Sequence, residues 1–382
     1  MQRSRPDFDP VGVRLGGFFL YPGLGLSERY NSNVFFTQSN PEGDFLTVMS
    51  PSLNLKSNWN RHQLNLFANV DVGRYASKSS EDYVDARAGF NGRIDVHHDA
   101  NISGGFTFQR QHEDRSSPDQ AGAAEPVTYS LYHPSVAATK RFNRFSARIG
   151  ADLNIYRYDD APATGGGTVN ESDRNRREVE GSARLGYDVA PGYQTFVRGS
   201  VNDRSYSSTV DDNGFKRDSN GWEVVGGVAV DLGGVTFGNV FAGYLSQDFA
   251  DPAFGTVSGP SVGGDLTWNP TRLTTVKLEA SRTVAETTLS GASGSLASDV
   301  QLSVDHELRR YLILSADLRY QNQDYDGITR NDDVYGAGIA GTYLVNRYAN
   351  VKLRYGYAQR SSNATGADYT SHSVILRLVT HY

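Results

Sequence analysis

The 382-residue chain contains no cysteine, which excludes a disulfide, a thiolate metal site and a cysteine nucleophile. No apolar run approaches the roughly 20 residues that a membrane-spanning helix needs. Lys and Arg are scattered along a chain of net charge −6, so no basic patch indicates a nucleic-acid partner. Hydrophobic residues make up only 38 %, which is low for a globular core, whereas Gly (40), Tyr (22) and Phe (18) are abundant.

The N-terminus lacks a recognisable signal peptide, because MQRSRPDFDP has no apolar segment behind its basic residues. Taken literally, this describes a cytosolic protein. The alternative is a mature portion whose signal peptide is missing and to which a start Met was added. The strand pattern described next favours that alternative.

Period-2 alternation of apolar and polar residues dominates the chain from end to end. It is clear at residues 64–73, 84–93, 179–189, 312–321 and 351–357. No segment has a convincing helical period of 3.6. The sequence therefore predicts an all-β protein.

Short turns and long polar loops alternate along the chain. We count eight short turns and nine longer loops, which predicts 18 strands, or 16 if two strands are wrongly divided. The short turns recur about every 37 to 48 residues, at SNWNRH, VHHDAN, RFNRF, VAPGY, LGGV, WNPTR, LRRY and VNRY.

Strand length separates a membrane barrel from a propeller or a soluble sandwich. The alternating segments run about 12 to 16 residues, whereas strands of soluble proteins average about 5 or 6. This favours a transmembrane antiparallel up-and-down β-barrel with short periplasmic turns and long extracellular loops, in contact with outer-membrane lipid. We expect residues 1–17 to be an N-terminal periplasmic extension and 18–382 to be the barrel.

The last strand alternates to the final residue, and a closed barrel must pair that strand with its first. The ending is similar to the C-terminal signal that insertion machinery reads in bacterial outer-membrane barrels. The candidate signal residues are Val374, Leu376, Leu378 and Tyr382, with Thr380 a weak member. Trp59 and Trp268 lie beside short turns, as a periplasmic aromatic girdle requires; alternatively they cap ordinary hairpins.

The polar positions between the apolar ones should face inward, and their charges are nearly balanced. Barrels of 16 to 18 strands are wide enough for an aqueous channel, and balanced charge suits a neutral or bulky polar solute. Alternatively, cross-strand ion pairs merely stabilise the wall. The candidate pore-lining residues are Asp71, Asp85, Arg87, Arg93, Arg148, Asp152, Arg184, Arg198, Lys277, Glu279, Asp305, Asp317, Arg319, Lys352, Arg354 and Arg377.

Catalytic and metal motifs point to no site. There is no GxSxG elbow, and the glycines at 165–167 lack the Lys-Ser/Thr of a phosphate loop. His97, His98 and Asp99 form the best metal-like cluster, which we interpret as a solvated turn. We expect no enzyme activity and no cofactor. The Gly-rich loop 159–174 could plug the lumen, gate it or extend outside.

Arg5-Pro6-Asp7, and then Tyr30-Asn31-Ser32-Asn33-Val34-Phe35, resemble the opening strand of an outer-membrane family called putative β-barrel porin type 2. The rest of the chain matches that family by length and strand pattern. The resemblance implies a bacterial outer-membrane location. It also implies an association with exopolysaccharide or capsule export, with periplasmic or inner-membrane export proteins as partners.

Three functions follow as expectations. The first is a conduit that exports a surface polysaccharide. The second is a general or sugar-preferring diffusion porin for small solutes. The third is a non-conducting structural or adhesive barrel whose function lies in its outer loops.

Overall fold

The computed structural model describes residues 5–120 and 122–382, and eighteen long strands of these residues form one closed antiparallel sheet. Three short 3₁₀ helices lie in the loops: η1 (Ser79–Glu81), η2 (Pro118–Gln120) and η3 (Ser172–Arg174). Within the described ranges, no helix has the length and apolar character needed to cross a membrane. The strands are β1 (Val13–Leu15), β2 (Phe18–Asn31), β3 (Asp44–Ser57), β4 (Gln63–Tyr75), β5 (Tyr83–His97), β6 (Ala100–His112), β7 (Thr128–Phe142), β8 (Phe145–Tyr158), β9 (Ala161–Pro162), β10 (Thr168–Val169), β11 (Arg176–Ala190), β12 (Tyr193–Tyr206), β13 (Ser219–Asp231), β14 (Thr236–Phe249), β15 (Val257–Thr271), β16 (Thr274–Ala285), β17 (Ser295–Arg309), β18 (Leu312–Tyr325), β19 (Asn331–Asn346), β20 (Ala349–Ser362) and β21 (Tyr369–His381).

The barrel closes between its first and last long strands. β2 pairs with β21 from Gly23 opposite His381 to Asn31 opposite Ser373. Every other long strand pairs with its neighbours along the chain, and β8 pairs with β11 across the small β9–β10 hairpin. Among the described strands, this closure pairs both edges of the long-strand sheet, which matters in hydrocarbon because unpaired backbone groups are costly there. The prediction of 18 strands is confirmed, and each of the eight predicted short turns joins two long strands.

The two faces of the wall follow the alternation in the sequence. Large apolar side chains such as Leu24, Leu26, Met49 and Leu53 are exposed on the outer surface. They alternate with inward polar residues, because successive side chains of a strand point to opposite faces. Trp59 and Trp268 are 44 % and 48 % exposed beside short turns, a placement that fits an aromatic girdle.

Some positions depart from this simple pattern. Leu46 and Val48 alternate with the exposed Phe45 and Met49 and are buried on the inner face of β3. Glu28 shares the outer face with Leu26, and its carboxylate accepts a hydrogen bond of 2.7 Å from Thr47. Local hydrogen bonding of this kind lowers the cost of a polar group on the lipid-facing side.

The segment before β2 lies against the rim that carries the short turns. β1 folds back on β2, with Val13 opposite Leu20. Arg5 pairs with Glu307 of β17 at 3.3 Å, and Asp7 lies 3.9 Å from Arg310 in the next turn. Residues 1–4 of the expected extension lie outside the described residues, and its boundary at residue 17 stays a prediction.

Candidate functional site

One extracellular loop crosses the lumen. Residues 113–127, here called the inner loop, connect β6 to β7 and contain η2. Asp119 accepts hydrogen bonds from the Thr287 hydroxyl at 2.7 Å and from the Thr288 backbone N–H at 3.0 Å. The loop that carries these threonines, residues 286–294, follows β16, which lies about half-way round the barrel from β6. The inner loop therefore spans the mouth from one side to the other.

Two arginines hold the first part of the inner loop. Arg115 makes two hydrogen bonds of 2.7 Å to the buried carboxylate of Glu81 in η1. It also donates to the carbonyls of Ala123 and Ala124 at 2.8 Å, so the loop closes around its own side chain. Arg360 of β20 donates to the Ser116 carbonyl at 2.8 Å. Multiple charge-assisted hydrogen bonds of this kind fix both position and orientation.

Arg174 of η3 ties the inner loop to the neighbouring loop. Its guanidinium donates to Glu113 at 2.7 and 2.9 Å and to Glu171 at 2.6 Å, and it lies 4.1 Å from the centre of the Tyr158 ring. Burial opposes its charge, but the hydrogen bond and charge of Glu113 outweigh burial and raise the pKa of Arg174. Burial also raises the pKa of Glu171, which Arg174 only partly offsets. The contact between the two loops is therefore a buried network of hydrogen bonds centred on the Arg174 guanidinium.

The far end of the crossing is held by Arg217, whose side chain is only 1 % exposed. It pairs with Asp211 at 2.7 Å and donates to the carbonyls of Thr287, at 2.9 Å, and Ala292. These contacts join residues 207–218 to residues 286–294. Residues 286–294, which bind Asp119 of the inner loop, are thus also held by Arg217 from residues 207–218.

A cavity of about 210 Å³ lies beside the inner loop. This is small next to the roughly 300–1,000 Å³ of sites that take drug-sized ligands. Tyrosines and charged residues make up most of its lining, which includes Glu113, Ser117, Asp119, Tyr158, Arg174, Arg176, Tyr206, Glu286, Thr287 and Tyr325.

The Gly-rich loop does not provide this crossing. Its tip, residues 165–167, has no atoms within contact distance of where a side chain would begin. Lower down, the N–H of Ala124 donates to the Pro162 carbonyl at 2.7 Å, so the base of the loop packs on the inner loop. Of the alternatives open from the sequence, this placement fits a tip that extends outside.

All sixteen candidate pore-lining residues lie on the inner face, by their register with the exposed apolar residues of the same strands. Some make ion pairs, among them Arg354 with Asp317 at 2.5 Å and Arg319 with Asp299 at 2.6 Å. This group fits the alternative that wall charges are structural. A role in permeation stays a prediction for every member.

Other wall charges lie directly opposite residues of the same sign. The like-charged neighbours on adjacent strands are Asp71–Asp85, Asp152–Glu180, Asp265–Glu279, Lys352–Arg377, Arg148–Arg184 and Arg184–Arg198. Directly opposed like charges destabilise a sheet. Arg198 still pairs with Glu223 and Asp85 still contacts His112 on the adjacent strands. Within the described residues, cross-strand ion pairing does not account for Arg148 and Arg184.

The C-terminal candidates lie on the outer face. Val374, Leu376, Leu378 and Tyr382 are all exposed there, and the Tyr382 ring stacks on Tyr348 with centroids 5.7 Å apart. A closed strand thus presents an apolar stripe that ends in an aromatic pair. Their recognition by insertion machinery stays a prediction.

His97, His98 and Asp99 come together in the short turn between β5 and β6. Their ligand atoms lie within 4.8 Å of one another, and His97 is 2.9 Å from Asp99. Both histidines are exposed, as a solvated turn would be. That this turn is solvated and holds no metal stays a prediction.

The fold and the lumen together define a class: an outer-membrane, porin-like β-barrel channel with a loop folded across its mouth. A family model described as "Putative beta-barrel porin 2" matches residues 5–382, and the chain belongs to that family. Membership of a porin family also points to a channel rather than an enzyme.

Solved structures with a similar fold include two from Pseudomonas aeruginosa and one from Pseudomonas fluorescens Pf-5. OpdK is 11 % identical, with 95 % of this chain and 99 % of that chain covered and a TM-score of 0.46. OccK2 (OpdF) is 9 % identical, with 96 % and 98 % covered and a TM-score of 0.49. A BenF-like porin is 9 % identical, with 95 % and 99 % covered and a TM-score of 0.48. No curated protein matches the chain.

Sequence reasoning did not single out the residues that hold the inner loop. Asp119, Arg174 and Arg217 lie in polar loops whose composition looks like solvated surface. Buried charges require partners. Arg217 and Arg174 each have one nearby acidic partner, Asp211 and Glu171. The contacts that join different loops lie far along the chain, 61 positions for Arg174–Glu113 and 168 for Asp119–Thr287. Only the closure of the barrel brings them together.

Proposed function

We propose that this protein is a diffusion channel for small polar solutes, with the inner loop as its size-limiting constriction. Solutes would pass beside the loop and then through the wider lumen below it. The outward apolar surface holds the barrel in lipid, and the polar inner face keeps the lumen hydrated.

The observation that carries this proposal is the anchoring of the inner loop at both ends. Asp119 meets Thr287 across the lumen, and Arg174 and Arg217 secure the two sides with buried ion pairs. Breaking a buried ion pair by removing one partner typically costs about 3–5 kcal/mol. A loop held in this way favours a fixed narrow passage over a wide conduit.

Planar-bilayer recordings of the purified barrel test the proposal. Wild type should give small, stable conductance steps. Replacing residues 114–126 with a short Gly-Ser linker should enlarge the steps markedly, because the crossing is removed. Deleting the glycine tip, residues 165–167, is the control and should leave step size unchanged.

Two results would count against a diffusion channel. Wild type that never conducts would support a non-conducting structural or adhesive barrel. In that case, deletion of loops 159–174 and 207–217 should abolish the cellular phenotype. Equal conductance with and without the inner loop would remove its role as constriction.

Polysaccharide export is the second candidate function, and a tyrosine cluster favours it. Tyr129 stacks on Tyr158 with ring centroids 5.2 Å apart, and Tyr156 lies 6.4 Å from Tyr158. All three follow the inner face near the mouth, where amphipathic rings could contact sugar rings without holding them tightly. Export would require the inner loop to leave the lumen.

The absence of cysteine allows a clean test between the two functions. Asp119→Cys with Thr287→Cys places two thiols at the point where the loops meet. Oxidation should lock the crossing, abolish surface polysaccharide if the barrel exports it, and leave small-solute conductance intact.

A gene deletion is the companion experiment, scored for polysaccharide outside the cell and in the periplasm. Unchanged amounts of polysaccharide in both places would rule out the export function.

A further inference from the structure

Three arginines occupy one row of the inner wall. Arg148 of β8 lies directly opposite Arg184 of β11, and Arg184 lies directly opposite Arg198 of β12. Side chains that oppose one another in this way have Cβ atoms about 4.5–5.5 Å apart. Three positive charges therefore stand side by side in the half of the lumen nearer the short turns.

Two members of this arginine row have no acidic partner within the described part of the chain. Arg198 pairs with Glu223 of β13 at 2.8 Å. Neither Arg148 nor Arg184 makes an ion pair or hydrogen bond there. A guanidinium stays charged under all ordinary conditions. These two cations therefore face the lumen without a contacting carboxylate, and the charge of Asp265 acts on Arg184 only from a distance.

The side chains of the arginine row are held in place by a neighbouring ring and border open recesses of the lumen. The Arg184 guanidinium lies 3.8 Å from the centre of the buried Phe196 ring, which supports its plane. Small side chains line the recess beside Arg148, including Ser135, Ala137 and Ser182. Arg148 borders both this recess, of about 580 Å³, and a second one of about 460 Å³ that contains Arg184 and Arg198.

The nearest wall acids on the same strands do not neutralise the row. Asp152 and Glu180 oppose each other four residues closer to the mouth, which is roughly 13 Å along a strand. Asp188 lies four residues to the other side and accepts a hydrogen bond of 2.7 Å from Gln194. Because these carboxylates are displaced along the strands, a solute can reach the guanidiniums between them.

We propose that the arginine row is a binding subsite for the oxyanion group of a permeating solute, a carboxylate or a phosphate. Planar guanidiniums present paired N–H donors that match both groups. A bound anion would also relieve the repulsion between Arg148 and Arg184. This inference rests on the proposed function as a small-solute channel, and it assigns that channel a class of substrate.

Equilibrium binding to the detergent-purified barrel tests the subsite without requiring conduction. Sodium citrate and inorganic phosphate serve as separate probes in titration calorimetry, which distinguishes the two oxyanions. Wild type should bind at least one of them, and R148Q/R184Q should weaken binding by about tenfold or more, since a charge-assisted hydrogen bond contributes at least that factor. The charge-matched control R319Q/R354Q removes two arginines that have acidic partners.

The controls separate a specific subsite from general electrostatics. R148K/R184K keeps the charge but loses the planar donors and should recover only part of the affinity. Wild type that binds neither probe, or an equal loss in R319Q/R354Q, would overturn the subsite.

Reversal potentials across a salt gradient complete the test. In a conducting wild type, R148Q/R184Q should shift permeability towards cations more than R319Q/R354Q does; equal shifts would contradict the proposal. A silent barrel that still binds the probe through the row would defeat the channel function while leaving the subsite in place. A conducting barrel that binds the probe equally well in wild type and in R148Q/R184Q would support the channel function and overturn the subsite.

Discussion

The mouth of the barrel and the lower wall of its lumen use arginine in opposite ways. At the mouth, Arg174 and Arg217 are 7 % and 1 % exposed, and each meets a carboxylate. On the wall, Arg148 and Arg184 face each other and meet none in the described part of the chain. The first arrangement fixes loops, whereas the second leaves charge available to a solute.

Solvation accounts for the difference. A charge that leaves water must be paired, because its desolvation costs several kcal/mol. A charge that faces a hydrated lumen keeps most of its solvation and can remain unpaired. Mutating the two kinds of arginine should therefore have effects of different size and, for stability, of different sign.

The largest effect should follow Arg217→Met. The substitution leaves the buried Asp211 without its cation, and it leaves the backbone carbonyls of Thr287, Leu289 and Ala292 without the donor that Arg217 provides. Local opening of these loops should therefore become easier by about 3–5 kcal/mol. Hydrogen exchange of the backbone amides in residues 207–218 and 286–294 measures this opening. The double variant R217M/D211L is the control and should recover part of the protection. Unchanged exchange in R217M would show that the mouth does not depend on this pair.

A smaller effect is expected for Arg174→Met, which removes the cation from Glu113 and Glu171. Arg174 is more exposed than Arg217, 7 % against 1 %, so the carboxylates it leaves can regain more solvation. The inner loop should still fluctuate, and single-channel noise should rise. Burial already raises the pKa of Glu171, and loss of Arg174 should raise it further.

The sign of the pH dependence in R174M follows from that shift. A carboxyl with a raised folded-state pKa supports the folded loop below its ordinary pKa and loses that support as pH rises through the raised value. The noise of R174M should therefore increase with pH, and E171Q/R174M should weaken the trend. A trend in the opposite direction would contradict the assignment of Glu171.

The strands could be predicted from sequence because their cause is local. Alternation along one strand decides which side chains meet lipid, as residues 64–73 and 84–93 show. A short turn fixes the next strand, as VHHDAN does between β5 and β6. The eight turns and the closure by β21 follow from the same pattern.

The mouth could not be predicted, because its cause is not local. Asp119 and Thr287 are 168 positions apart and meet only across a closed barrel. The arginines of the lumen wall could be predicted in part. The inward direction of Arg148 and Arg184 follows from alternation, but their register does not, so their adjacency was invisible in the sequence. The charges are balanced along the sequence, but strand pairing places several residues of like sign next to one another on the wall.

The smallest effect, and the one that sharpens the comparison most, should come from Arg184→Gln. Directly opposed like charges destabilise a sheet by up to about 1 kcal/mol, so removing the middle arginine should leave the barrel unchanged or slightly more stable in urea. Arg354→Gln is the matched wall variant, and loss of its pair with Asp317 should destabilise by a similar small amount. If R184Q were instead the less stable of the two, Arg184 would be a structural residue like those at the mouth. A stabilised R184Q with weakened oxyanion binding would mean that the wall keeps this charge at a cost to its own stability.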